Sequence, residues 1–143
     1  MKKGRVAPLK YILGMVKFEK LFIVDDDELF VYIAKNLLKE LKVAKSIIDF
    51  PDGEDALKFF QDNHFKEYPD VIILDINMKS MNGWEFLDAL RSLKISETIK
   101  IYISSSSIDP HDLERAKLNP YVNAFISKPL SHTKINDVLL SDL

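Results

Sequence analysis

Apolar and polar positions alternate along this chain in two periods that take turns. Five short apolar runs recur at similar intervals, over 20–24, 44–50, 70–74, 99–103 and 122–126. Runs such as Leu21-Phe22-Ile23-Val24 and Val71-Ile72-Ile73-Leu74 are branched or aromatic and carry no polar break. That pattern predicts strands buried on both faces, the habit of a parallel sheet. Between them the apolar positions repeat every three to four residues, the period of an amphipathic helix. Leu29, Ile33, Leu37, Leu38 and Leu41 form one such stripe over 28–41, and Ala56, Leu57, Phe59 and Phe60 another over 53–65. Trp84, Phe86, Leu87, Leu90 and Leu93 form a third over 83–94. A fourth helix is expected over 110–118, with Asp109 as N-cap, Pro110 in the first turn and Asn119-Pro120 as the stop. The fifth is expected from Ser131, a second N-cap, to Leu140.

Strict alternation of strand and helix implies right-handed crossovers and an α/β, doubly wound (βα)5 domain with helices on both faces. At 143 residues the chain is one ordinary domain, and neither an internal repeat nor a second-domain linker interrupts it. Composition narrows the chemistry. With no cysteine there are no disulfides, thiolate metal sites or cysteine nucleophiles, which suits a reducing, cytoplasmic compartment. The formal charge of −2 conceals a basic start. Residues 1–17 carry Lys2, Lys3, Arg5, Lys10 and Lys17 and no acid, leaving 15 bases against 22 acids in the remainder. Residues 1–17 are therefore read as a basic, disordered or adventitious extension, and 18–143 as the folded domain. An acidic body argues against direct nucleic-acid binding. The apolar stretch from Tyr11 to Val16 is too short to span a membrane.

The candidate chemistry lies where the apolar runs end. The first leads into Asp25-Asp26-Asp27 and the third into Asp75. Residues just past parallel strands occupy the carboxyl edge of the sheet, where open α/β folds bind ligands. If the first and third strands are neighbours, Asp25, Asp26 and Asp75 converge. Like charges about 4 Å apart repel by roughly 4 kcal/mol at an effective dielectric of 20, so the cluster requires a cation or a proton. Oxygen ligands without Cys or His suit Mg2+, or Mn2+, better than zinc. His64, His111 and His132 share no ligand spacing and are expected at the surface. Asp27 is expected to cap the first helix.

Four motifs in order carry a family resemblance: Val24-Asp25-Asp26; Leu74-Asp75 leading to Asn82-Gly83; Ile103-Ser104-Ser105; and Phe125-Ile126-Ser127-Lys128-Pro129. From Glu19 to its end the chain resembles a response-regulator receiver domain of the stand-alone chemotaxis-regulator type. The resemblance implies a flavodoxin-like, five-stranded parallel sheet of order 2-1-3-4-5. It implies that Asp75 is a phosphoacceptor and that Asp25, Asp26, Asp75 and the Asn77 backbone carbonyl hold the metal. Lys128 would pair with Asp75 and then with a phosphoryl oxygen, Ser104 would hydrogen-bond another, and Lys128-Pro129 would be cis. Ser104 and the aromatic Phe125 would form the switch. The implied partners are a sensor histidine kinase or histidine phosphotransfer protein, and a downstream protein bound at the face of the fourth helix, fifth strand and fifth helix. A homodimer through that face is compatible with it. Such a protein is not an enzyme beyond its own phosphorylation and dephosphorylation.

Three positions depart from the commonest family pattern. Lys79 follows Met78 where proline is usual, Asn82 replaces Asp before Gly83, and Phe125 stands where Tyr is frequent. Gly83 is expected to serve a positive φ. Two rivals are a haloacid-dehalogenase-like phosphatase, which would want a second Asp where Asn77 stands, and a degenerate receiver scaffold.

Overall fold

The computed structural model describes residues 16–94, 98–106 and 109–141; the basic start, apart from Val16 and Lys17, lies outside them. Strands β1 (Phe18–Val24), β2 (Ala44–Phe50), β3 (Val71–Leu74), β4 (Lys100–Ser105) and β5 (Ala124–Ser127) form one parallel sheet of order β2-β1-β3-β4-β5. The helices are α1 (Glu28–Glu40), α2 (Gly53–Asp62), α3 (Gly83–Ser92), α4 (Pro110–Leu118) and α5 (His132–Lys134), which runs on as a π-helix over Ile135–Leu139. α2 ends at Asp62, earlier than its apolar pattern predicts, and a 3-10 turn follows at Phe65–Glu67.

Strand alternation divides the core in two. Phe22, Val24, Ile72, Leu74, Ile101 and Ile103 point toward α2, α3 and α4, whereas Leu21, Ile23, Val71, Ile73 and Tyr102 point toward α1 and α5. Both faces of β3 and of residues 21–24 of β1 are covered, which is why their sequence shows no polar alternation. Each such side chain contributes about 1.5–3 kcal/mol on burial. On one face Phe22 makes edge contacts with Phe50 and Phe59, both at 5.0 Å between ring centroids. β2 is an edge strand and only half-buried, despite its apolar sequence.

Helix ends follow local chemistry. Asp27 accepts from the Phe30 N–H, as expected, and Asp52 caps α2 by accepting from Asp55. Asn82 and Glu85 form a reciprocal capping box at α3. α1 closes in a Schellman turn: Val43 N–H donates to Leu38 O and Lys42 N–H to Lys39 O. The residue in the left-handed position is Lys42, φ 53°, where glycine is usual. Lys17 is buried, not part of a solvated extension, and its Nζ donates to Leu139 O at 2.8 Å.

Gly83 corrects an expectation. Its φ is not positive; a Cβ there would lie 2.5 Å from Asp75 O and 2.9 Å from Ile76 Cα. The residue is glycine because α3 starts against the backbone that follows β3. Gly83→Ala is therefore expected to lower stability by about 1–3 kcal/mol through overpacking against backbone. Lys42→Gly should raise it by about 1 kcal/mol by relieving left-handed strain. Urea unfolding at constant m-value checks both.

Candidate functional site

Register brings the candidate residues together. Val24 pairs with Leu74, and Leu74 with Ile103, so Asp25 and Asp75 leave the sheet beside Ser104 of β4. Backbone bonds hold that edge: Asp75 N–H donates to Val24 O at 2.9 Å and Asp25 N–H to Phe50 O at 3.0 Å. Lys128 follows the Ser105–Ser127 pair and donates its N–H to Ser105 O at 2.9 Å. The Lys128–Pro129 peptide is cis.

One carboxylate oxygen from each of Asp25, Asp26 and Asp75 lies within 4.8 Å of the others. Asp25 and Asp75 are buried, and Asp26 is exposed at the mouth. Lys128 faces all this with one ammonium, which pairs with Asp75 as expected but lies closer to Asp25. Its Nζ is 2.9 Å from Asp25 Oδ2 but 3.8 Å from Asp75 Oδ2, and 4.3 Å from the centroid of Phe30. The nearest cation is thus committed to Asp25. The other Asp25 oxygen accepts from Asp27 N–H at 2.8 Å, whereas among the described residues Asp75 Oδ1 has only the Asn77 N–H at 3.3 Å.

The titration of the acids follows from that unequal sharing. Burial, then repulsion from Asp25, push the Asp75 carboxyl from 3.8 up to about 6, against the pull of Lys128. Burial also raises Asp25, opposed by Lys128. Three carboxylates and one ammonium leave a formal charge of −2, which a divalent cation offsets. An all-oxygen donor set of this size suits Mg2+ or Mn2+, so the residues fit the metal.

Other predicted residues fall around this centre. Ser104 Oγ is fully buried and has no hydrogen-bond partner among the described residues, a hydroxyl held in reserve at the strand end. Asn77 is exposed, and its side-chain amide donates to Ser105 Oγ at 3.4 Å. Phe125 is half-buried on β5 beside a groove of about 600 Å3 against α4, lined by Pro110, Leu113 and Lys117. The three histidines are exposed, and His132 Nε2 lies 2.9 Å from Glu40 Oε2.

A model of the response regulator receiver domain matches residues 21–140. The chain belongs to the response regulator receiver family. Among relatives, a protein-glutamate methylesterase/protein-glutamine glutaminase of Clostridium acetobutylicum is 33% identical over 85% of this chain and 34% of its own length. The chemotaxis protein CheY of Pseudomonas aeruginosa is 28% identical, over 78% of this chain and 86% of that protein. The chain spans between 26% and 45% of the length of the first curated relatives it matches. A two-component response regulator of Cytophaga hutchinsonii superposes with a TM-score of 0.78 at 26% identity, covering 85% of this chain and 94% of that one. The receiver assignment disposes of the phosphatase alternative, which requires another family.

Sequence reasoning missed one contact of this receiver. Trp84 Nε1 donates to Asp112 Oδ1 at 3.1 Å, and the Arg115 guanidinium lies 4.7 Å above the indole. No sequence signal pairs α3 with α4, because the contact joins helices 28 residues apart.

The raised Asp75 carboxyl has a definite pH signature. The native state binds its proton more tightly than the unfolded chain, so this group lowers stability as pH rises from about 4 through 6. Above that window the full cost is about 2–3 kcal/mol. In metal-free protein, Asp75→Asn should therefore be more stable than the parent at pH 8 by up to that amount, and the gap should close near pH 4. Urea titrations in chelator across this range measure it; equal stabilities at pH 8 would show that the carboxylate is not under strain.

Proposed function

We propose that this receiver accepts a phosphoryl group on Asp75 from the phosphohistidine of a sensor kinase or phosphotransfer protein. The observation that carries this reading is the unequal sharing of Lys128. Asp75 is the buried carboxylate that keeps the weakest partners, so it is the one with an oxygen available for attack. Asp25 and Asp26 would hold Mg2+ together with Asp75, and the Asn77 carbonyl would complete the protein ligands. When bound, Mg2+ supplies charge neutralisation and orientation for the phosphoryl oxygens.

The residues would divide the work as follows. An Asp75 oxygen attacks phosphorus in line, the P–N bond of the phosphoimidazole breaks, and its electron pair returns to the imidazole, which takes up a proton. An acyl phosphate remains on Asp75. Lys128, on a flexible stem 3.8 Å away, pairs with a phosphoryl oxygen as charge leaves the carboxylate. Ser104 donates its unpartnered hydroxyl to another. Drawing Ser104 toward Asp75 vacates space on the strand-end side of Phe125, and the ring can move inward from its half-buried position.

The face that changes would be α4, β5 and α5. α4 is suited to this, because Ala116 is its only buried residue. Phosphorylation then biases a two-state equilibrium of that face by as much as it favours one packing. A downstream protein that binds one packing better reads the signal.

With Mg2+ and acetyl phosphate, the protein should gain one phosphoryl group by intact mass, on Asp75. Asp75→Asn should gain none while keeping its fold, and Lys128→Ala should gain it more slowly. Uptake by Asp75→Asn equal to the parent's would refute the assignment. With p-nitrophenyl phosphate the protein should not turn over repeatedly, as a phosphatase would. Millimolar Mg2+ should raise the melting temperature of the parent, and Asp26→Ala should lose most of that shift.

A further inference from the structure

Lys134 ends the short α-helical turn of α5, and its side chain folds back under the loop that carries Lys128. Its Nζ donates to Ser127 O at 2.8 Å, to Pro129 O at 2.9 Å and to Ser127 Oγ at 3.0 Å. An ammonium has three N–H donors, so all three are used. The two carbonyls belong to the residues immediately before and after Lys128. The base of Lys134 is itself fixed, since its N–H donates to Oγ of the N-cap Ser131 at 3.1 Å. Lys128 contributes its own N–H to Ser105 O on β4.

The Lys128 backbone is thus gripped from the sheet by one bond and from α5 by one ammonium on both flanking residues. The need is evident at the far end of the side chain. A four-carbon stem must place Nζ between Asp25 at 2.9 Å, Asp75 at 3.8 Å and the Phe30 ring at 4.3 Å. A shift of about 1 Å at the reacting atoms costs up to a hundredfold in rate. We propose that Lys134 is the positioning residue for Lys128: it locks the Ser127–Pro129 segment so that the Lys128 ammonium stays between the two buried carboxylates. This rests on the phosphoacceptor reading of Asp75. Lys134 acts through the backbone, with its donors spent on loop oxygens and not on the acids.

The grip is local in sequence, spanning five to seven residues, so its loss should loosen one loop and leave the fold nearly as stable. Five proteins test it by acetyl phosphate uptake with Mg2+: the parent, Lys134→Met, Lys134→Arg, Lys128→Ala and the double variant of Lys134→Met with Lys128→Ala. Lys134→Met should slow uptake on the order of tenfold, and Lys134→Arg should recover part of the rate. In the Lys128→Ala background Lys134→Met should cause no further loss, because the residue it positions is gone. Independently of phosphorylation, amide hydrogen exchange at Lys128 should accelerate in Lys134→Met while exchange in β1 and β3 is unchanged.

Parental uptake and parental Lys128 exchange in Lys134→Met would overturn the proposal. So would an equal further slowing in the Lys128→Ala background. A deficit that disappears at about 0.5 M salt, where the Debye length is about 4 Å, would assign the effect to the charge of Lys134 alone and also overturn it. Failure of the parent to take up phosphate would instead remove the reading of Asp75. The Lys128 amide would then still decide whether Lys134 holds the loop.

Discussion

Two carboxylates forced together at the ends of β1 and β3, with one ammonium between them, are the constraint around which this domain is arranged. At separations under 5 Å and an effective dielectric near 20 their repulsion is several kcal/mol. The apolar registers of β1 and β3 hold them there regardless, because slipping either strand by one residue would exchange the side chains of two differently packed cores and break the fit of both. The surrounding parts answer the same problem. Lys128 neutralises the partner it meets first, the Asp27 and Asn77 amides each give a bond, and the remaining charge calls for a divalent ion.

Much of this is legible in the sequence, and the reason is burial. β1 and β3 are covered on both faces, so their runs are unbroken and the acids that end them stand out. β2 was legible as a strand but not as a half-exposed edge, since Ile47, Ile48 and Phe50 read like core residues. The capping box at α3 is written in the sequence as Asn82 and Glu85, three residues apart. Gly83 shows the limit of such signals, because sequence cannot separate a glycine required by φ from one required by a backbone a few ångströms away. Nothing in the sequence marks Lys42 and Lys94 as left-handed, as both stand where glycine would have announced the turn. The π-helix that continues α5 has the same apolar spacing as an α-helix.

The distribution of burial separates a fixed part of the domain from a loosely seated one. Residues 21–24 of β1 and all of β3 are sealed, and α1, α2 and α3 each bury three or more side chains. α4 buries Ala116 alone and leaves Leu113 and Leu118 in solvent. A helix held this lightly can move at small energetic cost, whereas the strand ends beneath it cannot. The proposed switch would do its chemistry at this rigid centre and its displacement at this soft margin.

The tie between Trp84 and α4 has an optical consequence. The chain contains one tryptophan, rooted next to the glycine that packs on the Asp75 carbonyl. Its N–H is bonded to a carboxylate in the first turn of α4, and its face is covered by a guanidinium from the second. Indole emission responds to the charges that touch it, so both the colour and the yield of this fluorophore depend on where α4 sits. The domain therefore carries its own label for the position of its least anchored helix, and a single unmodified cuvette sample can follow that position in time.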